Sequence, residues 1–269
     1  MINLVPYNSD WPNLFKEEAS KIKLALGNNC IIVHHIGSTA VPGLASKPII
    51  DMLPVVKNIL EVRKNILAMQ NLGYEFKGEY GIPFRQYFIK GNPVRLFNVH
   101  VYEQGNSEID RHLLFRDYIR THSKTREAYE ALKLEMLQKY PNDIDAYTLG
   151  KNAFIEENVD AKTGFDGLRM VEAATDREWK AYRGMLQPFF DSLGVEPLQK
   201  MNPAEHRHFV LIKGVKFVAA AYIELKPFRK AELKVLVMEQ GYKTKGLESE
   251  CLHLINRWIE YNELNNQKI

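Results

Sequence analysis

Apolar residues recur along this chain with a period that switches between helix and strand. Trp11, Leu14, Phe15, Ile22 and Leu26 fall on one helical face, with Pro12 in the first turn and Gly27 at the end. An apolar strand follows at 31–36, then a Pro/Gly loop, then a second apolar run that holds Asp51. Asn58 is placed to cap a helix bearing Ile59, Val62, Ile66 and Met69, closed by Gly73. Segments 84–89 and 94–102 read as strands. From 109 to about 160 the pattern is helical, with Ser123 as a cap, a break at Tyr140-Pro141 and a last helix at 145–159. The polar stretch DAKTGFDG at 160–167 reads as a domain boundary. The pattern then restarts with a strand at 168–172 and a helix capped by Thr175 and bearing Trp179, Tyr182, Leu186 and Phe189. Strands at 209–213 and 217–224 join at Lys213-Gly214, and another runs over 232–238. The loop GYKTKGLESECL leads into a helix with Leu247, Leu254, Ile255 and Trp258 inside. The expectation is an α/β (α+β) protein of two domains, 1–162 and 168–269, each a mixed sheet with helices.

Composition narrows the class. A chain of 269 residues fits one large domain or two ordinary ones. A net charge of +3, with no basic run, gives no reason to expect a nucleic-acid partner. Cys30 and Cys251 are far apart, which suggests a reducing compartment and no disulfide framework. The first residues lack a basic n-region with an apolar core, and no apolar run reaches bilayer length. No membrane partner and a cytoplasmic location are expected. Oligomeric state is not legible.

The densest chemistry lies in HHIGSTAVPGLASKPIIDMLPVV, 34–56. A Gly37-Ser38 turn lets backbone N–H groups approach a phosphate. Asp51, inside an apolar strand, needs a partner when buried, and a metal ion is one such partner; a hydrogen-bonded corner is the plainer alternative. Asn98 and His100 share one face of their strand, whereas the neighbours His34 and His35 point to opposite faces. Lys47, Arg85 and Arg116 are suited to an anionic ligand. For Arg85, Arg111 and Arg116 the alternative is an internal salt bridge, with Asp110 or Asp117 as partner. His206 and His208 also share a face, for which a surface position is the expectation.

These pieces together resemble a known family. HIGSTAVPGLASKPIID (35–51), YGIPFRQYFIK (80–90), VHVYEQG (99–105), RHLLFRDYIRTH (111–122) and AYEALKLEML…AYTLGKNAFI (128–155) are similar to the GrpB family over roughly residues 4–160. The resemblance implies a nucleotidyltransferase fold, in which carboxylates next to a Gly-Ser turn hold two Mg²⁺ ions that clamp a nucleoside triphosphate. Gly37 and Ser38 match the turn and Asp51 the first carboxylate, which would make Asp51 a metal ligand and, with His100, catalytic. Leu53 stands at the second carboxylate position.

The segment ELKVLVMEQGYKTKGLESECLHLINRW (232–258) looks like part of a GNAT acetyltransferase. That resemblance implies that the amides of Lys243, Thr244, Lys245, Gly246 and Leu247 receive the pyrophosphate of acetyl-CoA at a helix N-terminus. Glu248 stands where Gly or Ala is usual, and the sequence stops about one helix later, ahead of the elements that commonly complete the fold. The implied function is a two-module transferase acting on a phosphate-bearing small molecule or CoA. The alternative is a non-catalytic nucleotide- or CoA-binding regulatory protein.

Overall fold

The computed structural model of this protein describes residues 3–192, 205–226 and 230–266. The chain divides into two compact units, the first made of residues 1–80 and 84–165 and the second of residues 166–269 together with Gly81–Pro83.

The first unit runs α1 (Trp11–Leu26), β1 (Cys30–Ile36), β2 (Ile50–Val56), α2 (Ile66–Asn71), β3 (Tyr74–Gly78), β4 (Gln86–Lys90), β5 (Phe97–Glu103), α3 (Ser107–Thr121), α4 (Ser123–Lys139), and the short α5 (Ile144–Leu149), α6 (Asn152–Ile155) and α7 (Ala161–Thr163). Its sheet has the order β1-β2-β5-β4-β3. Strand β2 pairs with β5 in parallel, and every other neighbour is antiparallel. The parallel pair requires a long crossover, which α2, β3 and β4 supply.

Strand alternation sorts the side chains. His35 faces α1, where its ring stacks on Phe15 with centroids 4.7 Å apart. On that same face Glu18 of α1 is buried. It accepts hydrogen bonds from Lys90 at 2.5 Å, Lys21 at 3.0 Å and the Tyr74 hydroxyl at 3.1 Å. A buried carboxylate is tolerable only when compensated in this way. Helix α1 thus covers one face and leaves the face of Asp51, Asn98 and His100 to the helical half. There Val41, Leu44, Phe115, Ile119, Tyr129 and Val159 form a buried cluster that holds the loop after β1 against α3 and α4.

Local departures from the expected elements have local causes. The helix expected after Asn58 is a 3-10 segment, Leu60–Asn65, followed by the short α2. The strand expected from 84 starts at Gln86, because Phe84 has φ +63 and cannot join a ladder. Strand β3, which follows directly on Gly73, is not among the expected elements. Ser123 is the first residue of α4, not its cap. The last expected helix breaks at Gly150, where an added Cβ would lie 2.5 Å from Met136 Sδ. That close approach seats α5 on α4.

The second unit runs β6 (Leu168–Glu172), α8 (Asp176–Ser192), β7 (His206–Lys213), β8 (Lys216–Lys226), β9 (Lys230–Met238) and α9 (Lys245–Asn266). Its sheet, β6-β7-β8-β9, is antiparallel throughout. Thr175 and Glu178 form a capping box: Glu178 N–H donates to Thr175 Oγ1 at 3.2 Å, and Thr175 N–H donates to Glu178 Oε2 at 2.9 Å. Tyr182, Leu186 and Phe190 of α8 pack against Val210, Ile212, Ala220 and Tyr222. Helix α9 covers the other face, with Trp258 edge-on to Phe209 at 4.8 Å. His208 is buried in the α8 core instead of lying at the surface, hydrogen-bonded to the Tyr182 hydroxyl at 2.9 Å. Both units are mixed α/β. No helix among the described residues is long and apolar enough to cross a membrane.

Candidate functional site

The register places Asp51 opposite Asn98 in the parallel pair, and Tyr87 opposite His100 in the antiparallel one. One sheet face therefore presents Asp51, Asn98, His100 and Tyr87 side by side. The Tyr87 hydroxyl donates to Asn98 Oδ1 at 2.9 Å, and Asn98 Nδ2 donates to Asp51 Oδ1 at 2.8 Å. His100 Nε2 lies 3.8 Å from the same Asp51 oxygen. The other oxygen, Oδ2, lies over the Gly37 turn.

The protonation state of His100 follows from its neighbour. Arg85 Nη1 contacts His100 Nδ1 at 3.2 Å. A guanidinium only donates, so Nδ1 accepts and the proton sits on Nε2, aimed at Asp51. A doubly protonated ring would set two donors against each other. Burial, joined by the Arg85 charge, holds the His100 pKa down to about 4, against the pull of Asp51. For Asp51, burial pushes the carboxyl up. The His100 ring, the Asn98 amide and Lys47 outweigh it and hold the group below the usual carboxylate range. At neutral pH the site presents a carboxylate and a neutral imidazole donor.

Three lysines cluster here: Lys47 and Lys151 feel the Asp51 charge, and Lys133 lies next to Lys47. Lys47 Nζ lies 4.7 Å and Lys151 Nζ 4.4 Å from the centroid of the Tyr147 ring, so both ammonium groups use one aromatic ring. Lys133, buried in α4, donates to the Ala45 carbonyl, while Glu130 of the same helix accepts the Ala45 N–H at 3.2 Å. The two contacts clamp the loop that carries Lys47. Burial, with Lys47 and Lys133 adding repulsion, pushes the Lys151 amine down to about 7. Burial, with Lys47 opposing Glu130, pushes Lys133 down to about 8. Burial and Arg95 lower Lys47 also, while Asp51 and Asp145 pull the other way. The Tyr129 phenol, raised by burial, hydrogen-bonds Ser38, which ties the Gly-Ser turn to α4. The carboxylates that pull against these downward shifts are Asp51 and Asp145 for Lys47, Glu130 for Lys133 and Asp51 for Lys151.

Of the residues singled out in the sequence, Gly37, Ser38, Lys47, Asp51 and His100 are linked through these contacts. Arg85 and Arg116 play other parts. Arg85 is buried, and its guanidinium donates to the carbonyls of Glu79 and Tyr80 at 3.2 and 2.8 Å as well as to His100. It positions His100, with one contact made by each of its three nitrogens. Arg116 is held by both carboxylate oxygens of Asp117 at 2.7 and 2.9 Å and by the His35 carbonyl at 3.2 Å. Arg111 pairs with Asp160 at 2.7 Å. For these two the internal salt bridge is what the structure contains. Lys133 and Lys151 were missed, although Lys133 falls in a helical stripe with Tyr129 and Met136, where a lysine is out of place.

A two-metal centre does not fit these donors. Mg²⁺ takes oxygen ligands in near-octahedral geometry. Here Leu53 is fully buried at the second carboxylate position, and the Asn98 oxygen is taken by Tyr87. Among the described residues no group of three or more His, Cys, Asp or Glu is arranged to hold a metal ion.

The loop proposed for acetyl-CoA is also partly committed. Thr244 N–H donates to Tyr242 O at 2.7 Å. Leu247 N–H donates to Thr244 Oγ1 at 3.4 Å, and Glu248 N–H to Thr244 O at 3.0 Å. Thr244 thus caps α9, which starts at Lys245, and two of the five amides expected to face a pyrophosphate are used within the loop. The side chain of Lys245 lies outside the described residues.

The family described as GrpB protein matches residues 1–161. The UPF0157 protein YqkA of Bacillus subtilis is 45% identical over 160 residues, 58% of this chain and 47% of that protein, so the chain spans about half of YqkA. The UPF0157 protein BH1888 of Halalkalibacterium halodurans is 36% identical over 156 residues, 58% of this chain and 80% of that protein. The crystal structure of conserved protein GrpB from Enterococcus faecalis matches with 42% identity and a TM-score of 0.55, covering 58% of this chain and 93% of that one. The family match ends before the second unit begins, and the GNAT resemblance gains no support from it.

Proposed function

The chain belongs to the GrpB family, and we propose that the cleft built by its first unit binds a phosphate-bearing small molecule. The observation that carries this reading is the cluster of Lys47 and Lys151 on the Tyr147 ring, both within reach of the Asp51 charge, with Lys133 next to Lys47. The phosphates are met by the lysines and the Gly37-Ser38 turn. The Asp51 carboxylate and the His100 Nε2–H, an acceptor beside a donor, orient a hydroxyl of the same ligand. The lysines neutralise the phosphate charge that metal ions carry in two-metal transferases, and two-metal nucleotidyl transfer is not part of this reading.

A thermal-shift panel of phosphates, nucleotides and CoA species, with and without Mg²⁺, tests it. Ligands that bind only the native state raise the midpoint by mass action. Midpoints raised by polyphosphates and nucleotides in the absence of Mg²⁺ support the reading. A flat panel refutes it.

For the second unit a GNAT-like reading rests on one observation: an antiparallel sheet whose last strand, β9, leads through a Thr244-capped turn into α9. A midpoint raised by acetyl-CoA but not by nucleotides supports it. The engaged amides of Thr244 and Leu247 weigh on the other side.

A further inference from the structure

The loop between β3 and β4 contains two non-glycine residues with positive φ, Tyr80 at +48° and Phe84 at +63°. Side chains rarely adopt this region, and such conformations persist where the surroundings over-determine them, often at ligand sites. Here the loop is tied at several points. Phe84 N–H donates to Glu79 Oε1 at 2.5 Å. Arg85 holds the carbonyls of Glu79 and Tyr80 at 3.2 and 2.8 Å. The Arg85 guanidinium is itself seated 4.6 Å from the centroid of the Tyr87 ring. What this construction holds up is the Tyr80 ring, 54% exposed, with its centroid 5.7 Å from that of Tyr87. A large aromatic side chain is left facing solvent by a backbone that is costly to maintain.

The position relative to the cleft gives the exposure a use. Tyr87 is joined through Asn98 to Asp51, so Tyr80 stands on the β4 side of the carboxylate. The lysines come from elsewhere: Lys47 from the loop ahead of β2 and Lys151 from the segment after α5, both within reach of the Asp51 charge, and Lys133 from α4. An extended ligand with its anionic end on the lysines and its hydroxyl-bearing middle at Asp51 and His100 has its far end near Tyr80. We propose that Tyr80 is a stacking platform for a planar aromatic group on the ligand, which makes the ligand nucleotide-like: polyphosphate, hydroxylated linker and flat ring. The inference rests on the phosphate-binding reading and narrows its substrate class.

The test is calorimetric titration of the full chain, in EDTA, with ATP and separately with inorganic tripolyphosphate. Wild type is expected to bind ATP at least roughly fivefold more tightly than tripolyphosphate, the lower bound being that of a single base–aromatic stack. Tyr80→Ala lowers ATP affinity by roughly five- to a hundredfold, the worth of the stack, and leaves tripolyphosphate binding unchanged, whereas Tyr80→Trp retains the wild-type ATP affinity. Equal affinities in the wild type, or an unchanged ATP affinity in Tyr80→Ala, overturn the stacking role while the phosphate pocket stands. Absence of binding by both compounds removes the phosphate-binding reading and this inference with it.

Discussion

A Cβ atom placed on Gly37 would lie 2.4 Å from Asp51 Oδ2. Gly37 has φ +69° and ψ −171°, a combination essentially restricted to glycine. The turn is therefore glycine for two reasons at once: its backbone conformation, and the carboxylate that rests directly on it. Gly37→Ala is expected to lower stability by about 1–3 kcal/mol from backbone strain alone, to displace Asp51 and to abolish ligand binding. Thermal unfolding and titration of the variant check this. A variant that binds normally would mean that Asp51 does not depend on the turn.

Arg85 fixes the His100 tautomer, so its removal should be visible on the imidazole. In Arg85→Met the repelling charge is gone and Nδ1 is free to take a proton. The His100 pKa is expected to climb from about 4 toward the ordinary value of 6.5. Histidine NMR titration reads the change, and a pKa that stays near 4 would mean that burial alone sets it.

The same shift makes the first unit sensitive to acid. His35 and His100 are both held to about 4 when folded, burial being the larger cause for each. Between about 6.5 and 4 the unfolded chain binds protons that the native state refuses, so stability falls as pH drops through that window. Chemical denaturation at a series of pH values is expected to show this loss, and His100→Asn to reduce its slope. An unchanged slope in that variant would contradict the assignment.

Ligand binding should carry a pH dependence of the opposite sense. Lys151, pushed down to about 7, is increasingly neutral above that pH. A bound phosphate restores the proton, so affinity falls as pH rises from 7 to 9 and binding takes up protons near neutrality. Calorimetry in buffers of different ionisation enthalpy measures the uptake. Lys151→Met should abolish most of it, together with a loss of affinity of about tenfold for one charge-assisted contact.

The sequence carries the frame of the site better than its lining. Strong periodicity marks α1, β1, β2 and β5, and Asp51, Asn98 and His100 follow from period-two alternation in known strands. Strand register across β2, β5 and β4 is a tertiary fact, so the Asp51–Asn98–Tyr87 chain is absent from any local pattern. Charge type alone does not tell a ligand arginine from a structural one. Arg85 and Arg116 are equally basic in sequence, and only the carbonyls and Asp117 around them reveal the internal contacts that each makes. Lys133 left a readable trace, a cation in the buried stripe of α4. Lys151 left none, because its place depends on how Gly150 lets the chain close on Met136.

Titration of inorganic tripolyphosphate in EDTA at pH 7 measures whether the lysines near Asp51 form an anion pocket that needs no metal ion. The wild type and the Lys47→Ala/Lys151→Ala double variant are compared, with folding checked by circular dichroism. Wild type is expected to bind measurably and the double variant to lose a hundredfold or more, about tenfold per charge-assisted contact. Binding that appears only when Mg²⁺ is added, or that survives in the folded double variant, would contradict it.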